Sequence, residues 1–223
     1  VLLRGSGLGL RLSEELTKKE KQQKELEKQH LTSTLEMLRN QVSPHFFFNT
    51  LNNFYALTTI DPKLSGEAVL KLSRLMRYLL YESAGERVEL TKEVAFLNNY
   101  IDLMKLRMSE NVDIEIDFPA IPESYQIAPL LFIPFIENAF KHGVSNREHS
   151  FIRIHLNIDD EKVVFECENS AFKSFTEKDR VGGIGLVNVK KRLDLLFPKS
   201  HQLEIEDKTT LFRVHLIINQ KQN

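Results

Sequence analysis

The sequence predicts an α+β protein: an N-terminal helical hairpin that dimerises into a four-helix bundle, then an α/β sandwich with a mixed sheet and helices on one face. Two changes of apolar period carry this reading. Helical spacing dominates up to Gly85, and from Val112 to Phe118 apolar residues alternate with Asp113, Glu115 and Asp117 in the period of a half-buried strand. Beyond that point strand-like and helix-like segments interleave, as in a sheet covered by helices. The boundaries expected are a linker helix over 1–40, the hairpin over 41–86 and the sandwich over 87–223.

From Ser13 to Asn40 the chain has no glycine or proline, and Glu14–Lys18, Glu15–Lys19 and Glu20–Lys24 are favourable i,i+4 pairs. Leucines at 4-3 spacing with one phase break read as a weak coiled-coil seam or a solvated helical connector. This helix is expected to run past Pro44 to about Ile60, where Asp61-Pro62-Lys63 signals a turn. A second helix follows, with Ala68, Leu72, Leu75 and Leu79 as its stripe, broadened by Met76 and Leu80. One hairpin cannot bury both stripes, so a homodimer is expected, with Leu72, Leu75 and Leu79 near its core. Val88-Glu89-Leu90 reads as a short strand and Thr91 as the N-cap of a third helix, striped by Val94, Leu97, Ile101, Met104 and Met108. A helix is expected over 129–143, strands over 152–158 and 162–168, a helix from the glycine cluster at 182–185 to Phe197, and strands over 203–206 and 211–218.

Bulk composition narrows the function. The 223 residues carry a formal charge of −1, which argues against direct nucleic-acid binding through many phosphate contacts. No apolar run reaches the length of a membrane span. The single cysteine, Cys167, sits in an alternating apolar pattern and reads as a small core residue in a reducing compartment. Val1 to Leu12 is apolar and glycine-rich, either the remnant of a membrane segment or sequence foreign to the fold.

Three constellations bear on chemistry. The first surrounds His45 in Ser43-Pro44-His45-Phe46-Phe47-Phe48-Asn49. A histidine on an apolar helix is commonly a packed core residue, but Pro44 removes a backbone donor and bends the helix, which turns a ring outward. The second is Glu137-Asn138-Ala139-Phe140-Lys141-His142-Gly143. Phe132, Ile136, Ala139 and Phe140 face inward, while Asn138, Lys141, His142 and Ser145 share the opposite face. An amide oxygen beside an ammonium and an imidazole suits Mg²⁺ with phosphates, although an ordinary amphipathic helix shows the same face. The third, Gly182-Gly183-Ile184-Gly185-Leu186-Val187-Asn188, places glycines ahead of a helix, where backbone N–H groups approach a phosphate; a flexible loop has the same composition.

In this order the three motifs, from about Leu38 to Ile218, resemble the LytS-like sensor histidine kinases, whose phosphoacceptor motif reads close to Asn-Pro-His-Phe-Leu-Phe-Asn. Leu90, Glu93, Tyr100 and Arg107 are similar to the stretch that precedes the family's ATP domain. Glu137 to Gly143 resembles its N box, and Gly183 to Val189 its G box. The resemblance implies an ATP domain of the fold shared with gyrase, Hsp90 and MutL, and ATP and Mg²⁺ as cofactors. It implies His45 as phosphoacceptor, Asn138 as Mg²⁺ ligand, Lys141 and His142 near the nucleotide phosphates, and Gly183, Gly185, Leu186 and Asn188 in the lid region. The chain departs from the pattern twice. Pro134 stands one turn before Asn138, where relatives carry an asparagine or glutamate, so Glu137 is assigned the catalytic role. Asn169-Ser170-Ala171 stands where an Asp-x-Gly-x-Gly reads adenine, so Asn169 is assigned to the base.

The expected reaction moves the γ-phosphoryl of ATP to His45, with Asn49 orienting the ring, and then to an aspartate of a response regulator. An imidazole of ordinary pKa is roughly three-quarters neutral at pH 7, so no adjacent base is obligatory. The expected setting is the cytoplasmic domain of a bacterial inner-membrane protein, anchored upstream. The alternative is a dimeric signalling scaffold of the same fold with weak or no catalysis; a clamp-type ATPase would need a water-activating carboxylate at Pro134.

Overall fold

The computed structural model describes residues 16–21, 23, 62–106, 108–121, 125–145, 147–159, 161–172 and 184–219. The chain divides into two units, Val1–Gln41 and Val42–Asn223. In the first, the described residues are helical and exposed. His45, Asn49 and Gly183, and the expected first helix of the hairpin, lie outside the described residues.

In the second unit, helix α1 spans Pro62–Leu80 and is followed by a 3-10 turn at Glu82–Ala84. Strand β1 (Val88–Glu89) leads into α2 (Leu90–Lys105), then β2 (Val112–Asp117), β3 (Gln126–Ile127) and α3 (Ile133–His142). The hairpin β4 (Ser150–Ile158) and β5 (Lys162–Ser170) is followed by α4 (Ile184–Leu196), β6 (His201–Asp207) and β7 (Leu211–Asn219).

Helix α1 has two apolar stripes where periodicity suggests one broad stripe. Ala68, Leu72, Leu75 and Tyr78 are buried within the single chain, and the Tyr78 ring stacks on Phe96 of α2 with centroids 4.6 Å apart. Val69, Met76 and Leu80 stay exposed at 49%, 37% and 60%. Leu72 and Leu75 therefore belong to the core of one chain, and the apolar surface left over for a partner lies about a quarter-turn or more round the helix. The reason is tertiary: α2 packs against α1, and Lys71 pairs with Asp102 across them.

The main sheet has the order β2-β4-β5-β7-β6, with β2 parallel to β4 and every other pair antiparallel. One face is apolar. Ile152, Ile154, Leu156, Val163, Phe165, Cys167, Val214, Leu216 and Ile218 are buried there. Cys167 is the core residue the pattern suggests: burial, and secondarily Glu168, push its thiol up to about 12. The other face carries two rows that cross all five strands. Glu115, Arg153, Glu168, Arg213 and Glu206 are successive partners in one, and Asp117, His155, Glu166, His215 and Glu204 in the next. Each neighbour alternates acid with base, an arrangement that favours the observed register of directly opposed cross-strand pairs. A turn in which Asp159 Oδ1 accepts the N–H groups of Glu161 and Lys162, at 2.9 and 2.8 Å, closes the β4–β5 hairpin.

Helix α3 lies on β4 and β5 with Phe135, Ile136, Ala139 and Phe140 buried, and Phe132 and Phe135 set their rings 4.7 and 6.0 Å from that of Phe165. It begins at Ile133, four residues later than periodicity suggests. The preceding Leu130 has φ 58°, a left-handed conformation that costs a non-glycine residue about 1–2 kcal/mol and stops a helix from forming there. Helix α4 packs beside α3 and buries Leu186, Val189, Arg192 and Leu193.

Candidate functional site

The polar side chains of α3 rise along the face opposite its phenylalanines. Glu137 and Asn138 are half-buried, and Lys141 and His142, one turn further on, are exposed. Burial pushes the Glu137 carboxyl upward from its ordinary value, and the Lys141 ammonium one turn on draws it part of the way back. A half-buried carboxyl whose burial favours the protonated form is a candidate proton acceptor on this face.

At the C-terminal end of α3 the chain passes very close to β5. Gly143 has φ −90°, which any residue adopts, so its glycine answers to space. A Cβ there would sit 2.5 Å from Asn169 Cβ, 2.6 Å from Asn169 Nδ2 and 2.6 Å from the Ala139 carbonyl oxygen. Gly143→Ala is accordingly expected to lower stability by about 1–3 kcal/mol, as overpacking does, read as a shift of the denaturant midpoint at constant slope. An unchanged midpoint would mean that this approach is looser than the geometry shows. The turn after Gly143 is fixed by Asn111, whose Nδ2 donates to the carbonyls of Ser145 and Glu148, both at 3.0 Å.

Asn169 is 2% exposed, near the end of β5 and paired with Ile152 and Phe212 on either side. Its Nδ2 donates to the Ser170 carbonyl at 2.7 Å, which leaves Oδ1 as the spare end of the amide. Among the described residues Oδ1 is buried and has no partner. A buried acceptor without a donor costs about 1–3 kcal/mol, so the site suits a ligand that brings an N–H group. An exocyclic amine such as that of adenine fits. An amide oxygen, an ammonium and an imidazole on the outer face of α3 fit a hydrated cation with phosphate oxygens. Among the described residues no group of three or more His, Cys, Asp or Glu side chains converges on a metal position.

The structure thus brings Glu137, Asn138, Lys141, His142 and Asn169 to one region through α3 and Gly143. Gly185 is the second residue of α4, Leu186 is buried and Asn188 half-buried, and α4 is in contact with α3. Two side chains tied to this region carry no signal in the sequence. Arg192 sits in Lys190-Lys191-Arg192, which reads as a solvated basic run, yet it is 6% exposed. Tyr78 hides among leucines, yet its hydroxyl donates to buried Glu93.

A family profile described as Histidine kinase matches residues 33–112, the stretch that holds His45 and the α1–α2 unit. The sensor protein LytS of Staphylococcus saprophyticus is 27% identical over 184 residues, 77% of this chain and 31% of that protein. The sensor protein kinase HptS of Staphylococcus aureus is 31% identical over 136 residues, 60% of this chain and 26% of that protein. The histidine kinase domain of the blue-light activated histidine kinase EL346 from Erythrobacter litoralis gives a TM-score of 0.47 at 13% identity, over 85% of this chain and 95% of that one. Residues 33–112 of this chain are thus similar to histidine kinases. The chain is similar to the LytS and HptS sensor proteins, and it spans 31% and 26% of the lengths of these two staphylococcal relatives. No helix among the described residues is long and apolar enough to cross a membrane.

Proposed function

We propose that this chain is the catalytic core of a two-component sensor kinase, in which ATP phosphorylates His45 and the phosphoryl group then passes to an aspartate of a response regulator. The observation that carries the nucleotide part is the buried Asn169 Oδ1 beside Gly143, where α3 ends, which has no partner among the described residues. An adenine amine would give that oxygen its donor, and the triphosphate would extend along α3 toward Lys141 and His142. Asn138 would hold Mg²⁺, which when bound supplies charge neutralisation across the phosphate oxygens. Leu186 and Asn188, with the glycines at 183 and 185, would close over the nucleotide.

Transfer to the histidine needs placement and charge neutralisation more than covalent help. The unprotonated ring nitrogen of neutral His45 forms the P–N bond as the P–O bond to ADP breaks, with Asn49 orienting the ring. Glu137 would take up the proton that the phosphorylated ring releases. A homodimer is supported by the exposed Val69, Met76 and Leu80 stripe of α1. The likeness to LytS and HptS supports, as further parts of this reading, a response regulator as partner and a membrane anchor that keeps this core on the cytoplasmic side of a bacterial membrane. Against the catalytically weak scaffold stands the fit of Asn169 to a nucleobase.

Asn169→Ala tests the reading. A neutral hydrogen bond contributes about 0.5–1.5 kcal/mol, so ATP affinity is expected to fall several-fold, with the preference for ATP over GTP reduced as well. Unchanged ATP affinity in this variant would mean that Asn169 does not read the base. Absence of both ATP binding and acid-labile labelling in the parent would favour the scaffold.

A further inference from the structure

The turn that leads into α3 is held from two sides by buried charges. Glu93 of α2 is 0% exposed and accepts the backbone N–H of Leu130 through Oε2 at 2.9 Å and that of Leu131 through Oε1 at 3.2 Å. The Tyr78 hydroxyl of α1 donates to the same Oε2. From the other side Arg192 of α4 donates Nη1 to the Leu130 carbonyl at 3.1 Å and Nη2 to the Pro129 carbonyl. The amides of one short turn therefore rest on an acid, and its carbonyls on a base. Three helices, α1, α2 and α4, supply the side chains.

This arrangement explains how Leu130 keeps its left-handed φ of 58°. Such a conformation persists where the surroundings over-determine it, and these cases gather at functional sites. Here the Leu130 N–H and C=O are both taken by charged side chains, so the residue has no freedom to relax. Burial drives the Glu93 carboxyl upward, while Tyr78, the Leu130 amide, Arg192 and the Leu131 amide each pull it back down. A buried charge left alone is costly, so removing one member strands the rest.

Position makes the cluster more than a structural clamp. Tyr78 lies near the end of α1, the helix on the hairpin side, and Arg192 lies on the helix that opens with the glycine cluster. The turn they share ends at Phe132, one residue before α3, which carries Glu137, Asn138, Lys141 and His142. We propose that Tyr78, Glu93 and Arg192 are positioning residues that couple the placement of α1 and α4 to the N-terminal end of α3, so that a movement of the hairpin helix re-aims the polar face of α3. The proposal rests on the reading of α3 as the nucleotide helix. None of the three touches the reacting atoms; they act through the backbone of Pro129, Leu130 and Leu131.

Tyr78→Phe is the discriminating variant. It keeps the ring that stacks on Phe96 and deletes the hydroxyl, so the apolar packing survives. Glu93→Gln, its companion, keeps the shape and removes the charge. Two readouts apply: hydrogen–deuterium exchange across 129–140, and autophosphorylation at saturating ATP set against the dissociation constant of trinitrophenyl-ATP. In Tyr78→Phe the exchange of the Leu130 and Leu131 amides and of the first turn of α3 is expected to accelerate. The rate of labelling at saturating ATP is expected to fall about tenfold or more, as misplacement of a catalytic surface does, with nucleotide affinity within about twofold of the parent, a loss in kcat rather than in binding. A merely structural role would instead accelerate exchange throughout α2 and the sheet in step with lost stability, and that pattern overturns the proposal. So does exchange across 129–140 that matches the parent in both variants. If the parent neither binds trinitrophenyl-ATP nor becomes labelled, the nucleotide reading fails, while the exchange pattern still decides whether α1 is coupled to α3.

Discussion

His45→Gln is expected to remain folded, bind nucleotide and take up no phosphate. Glutamine approximates the length of histidine and still offers a polar, hydrogen-bonding side chain. It lacks what the reaction requires, because an amide nitrogen has its lone pair delocalised and does not attack phosphorus, whereas neutral imidazole presents a free one. Every other contribution is left in place: Asn138, Lys141 and His142 on α3, and Asn169 beside Gly143. Nucleotide affinity should therefore match the parent while acid-labile labelling disappears. Undiminished labelling would sink the assignment. Lost nucleotide binding together with lost labelling would show that the substitution disturbs more than the acceptor.

The second large effect is expected at Asn138. It is half-buried on α3, on the face it shares with Lys141 and His142. An amide oxygen is a hard ligand suited to Mg²⁺, which keeps several waters and takes few protein ligands, so removal of a single ligand matters. Alanine is the best helix former and leaves α3 intact. Asn138→Ala is then expected to lower autophosphorylation by on the order of a hundredfold or more, the scale of losing one contact that stabilises transition-state charge. The Mg²⁺-dependent part of nucleotide affinity should fall with it. Calorimetric titration with ATP, with and without Mg²⁺, measures that part directly. Mg²⁺-ATP affinity equal to the parent's, with full activity, would place the metal elsewhere.

What the sequence conveys and what it hides divide along the range of the interactions. The inward face of α3 was legible because Phe132, Ile136, Ala139 and Phe140 repeat at helical spacing, and all four are buried. Strands β4 and β5 were legible from the sequence, and each is two residues longer than the pattern shows. The start of α3 was not. Leu130 is turned out of the helix by Glu93 and Arg192, which lie 37 and 62 residues away in the chain. The same holds for α1, where only the packing of α2 separates buried Leu72 and Leu75 from exposed Met76 and Leu80.

At the site, residue types and spacing pointed to Asn138, Lys141 and His142, whereas Asn169 was reached only through the family resemblance. That Asn169 Cβ and Nδ2 lie against Gly143 depends on how α3 settles onto β5, which no local pattern records. The acid–base rows across the outer sheet face are hidden in the same way. Glu168 and Arg213 read as ordinary surface charges until the register sets them side by side. Arg192 is the clearest case, since its burial comes from where α4 docks and the two residues before it are lysines.

The central claim is that this chain carries phosphate on His45. Incubation with Mg²⁺-ATP, digestion at neutral to mildly alkaline pH and mass measurement of the peptide that contains His45 tests it most directly. One added phosphoryl group is expected on that peptide, lost on acid treatment and localised to the histidine on fragmentation. Phosphate that survives acid, that maps to another residue, or that is absent although the chain binds ATP would contradict it.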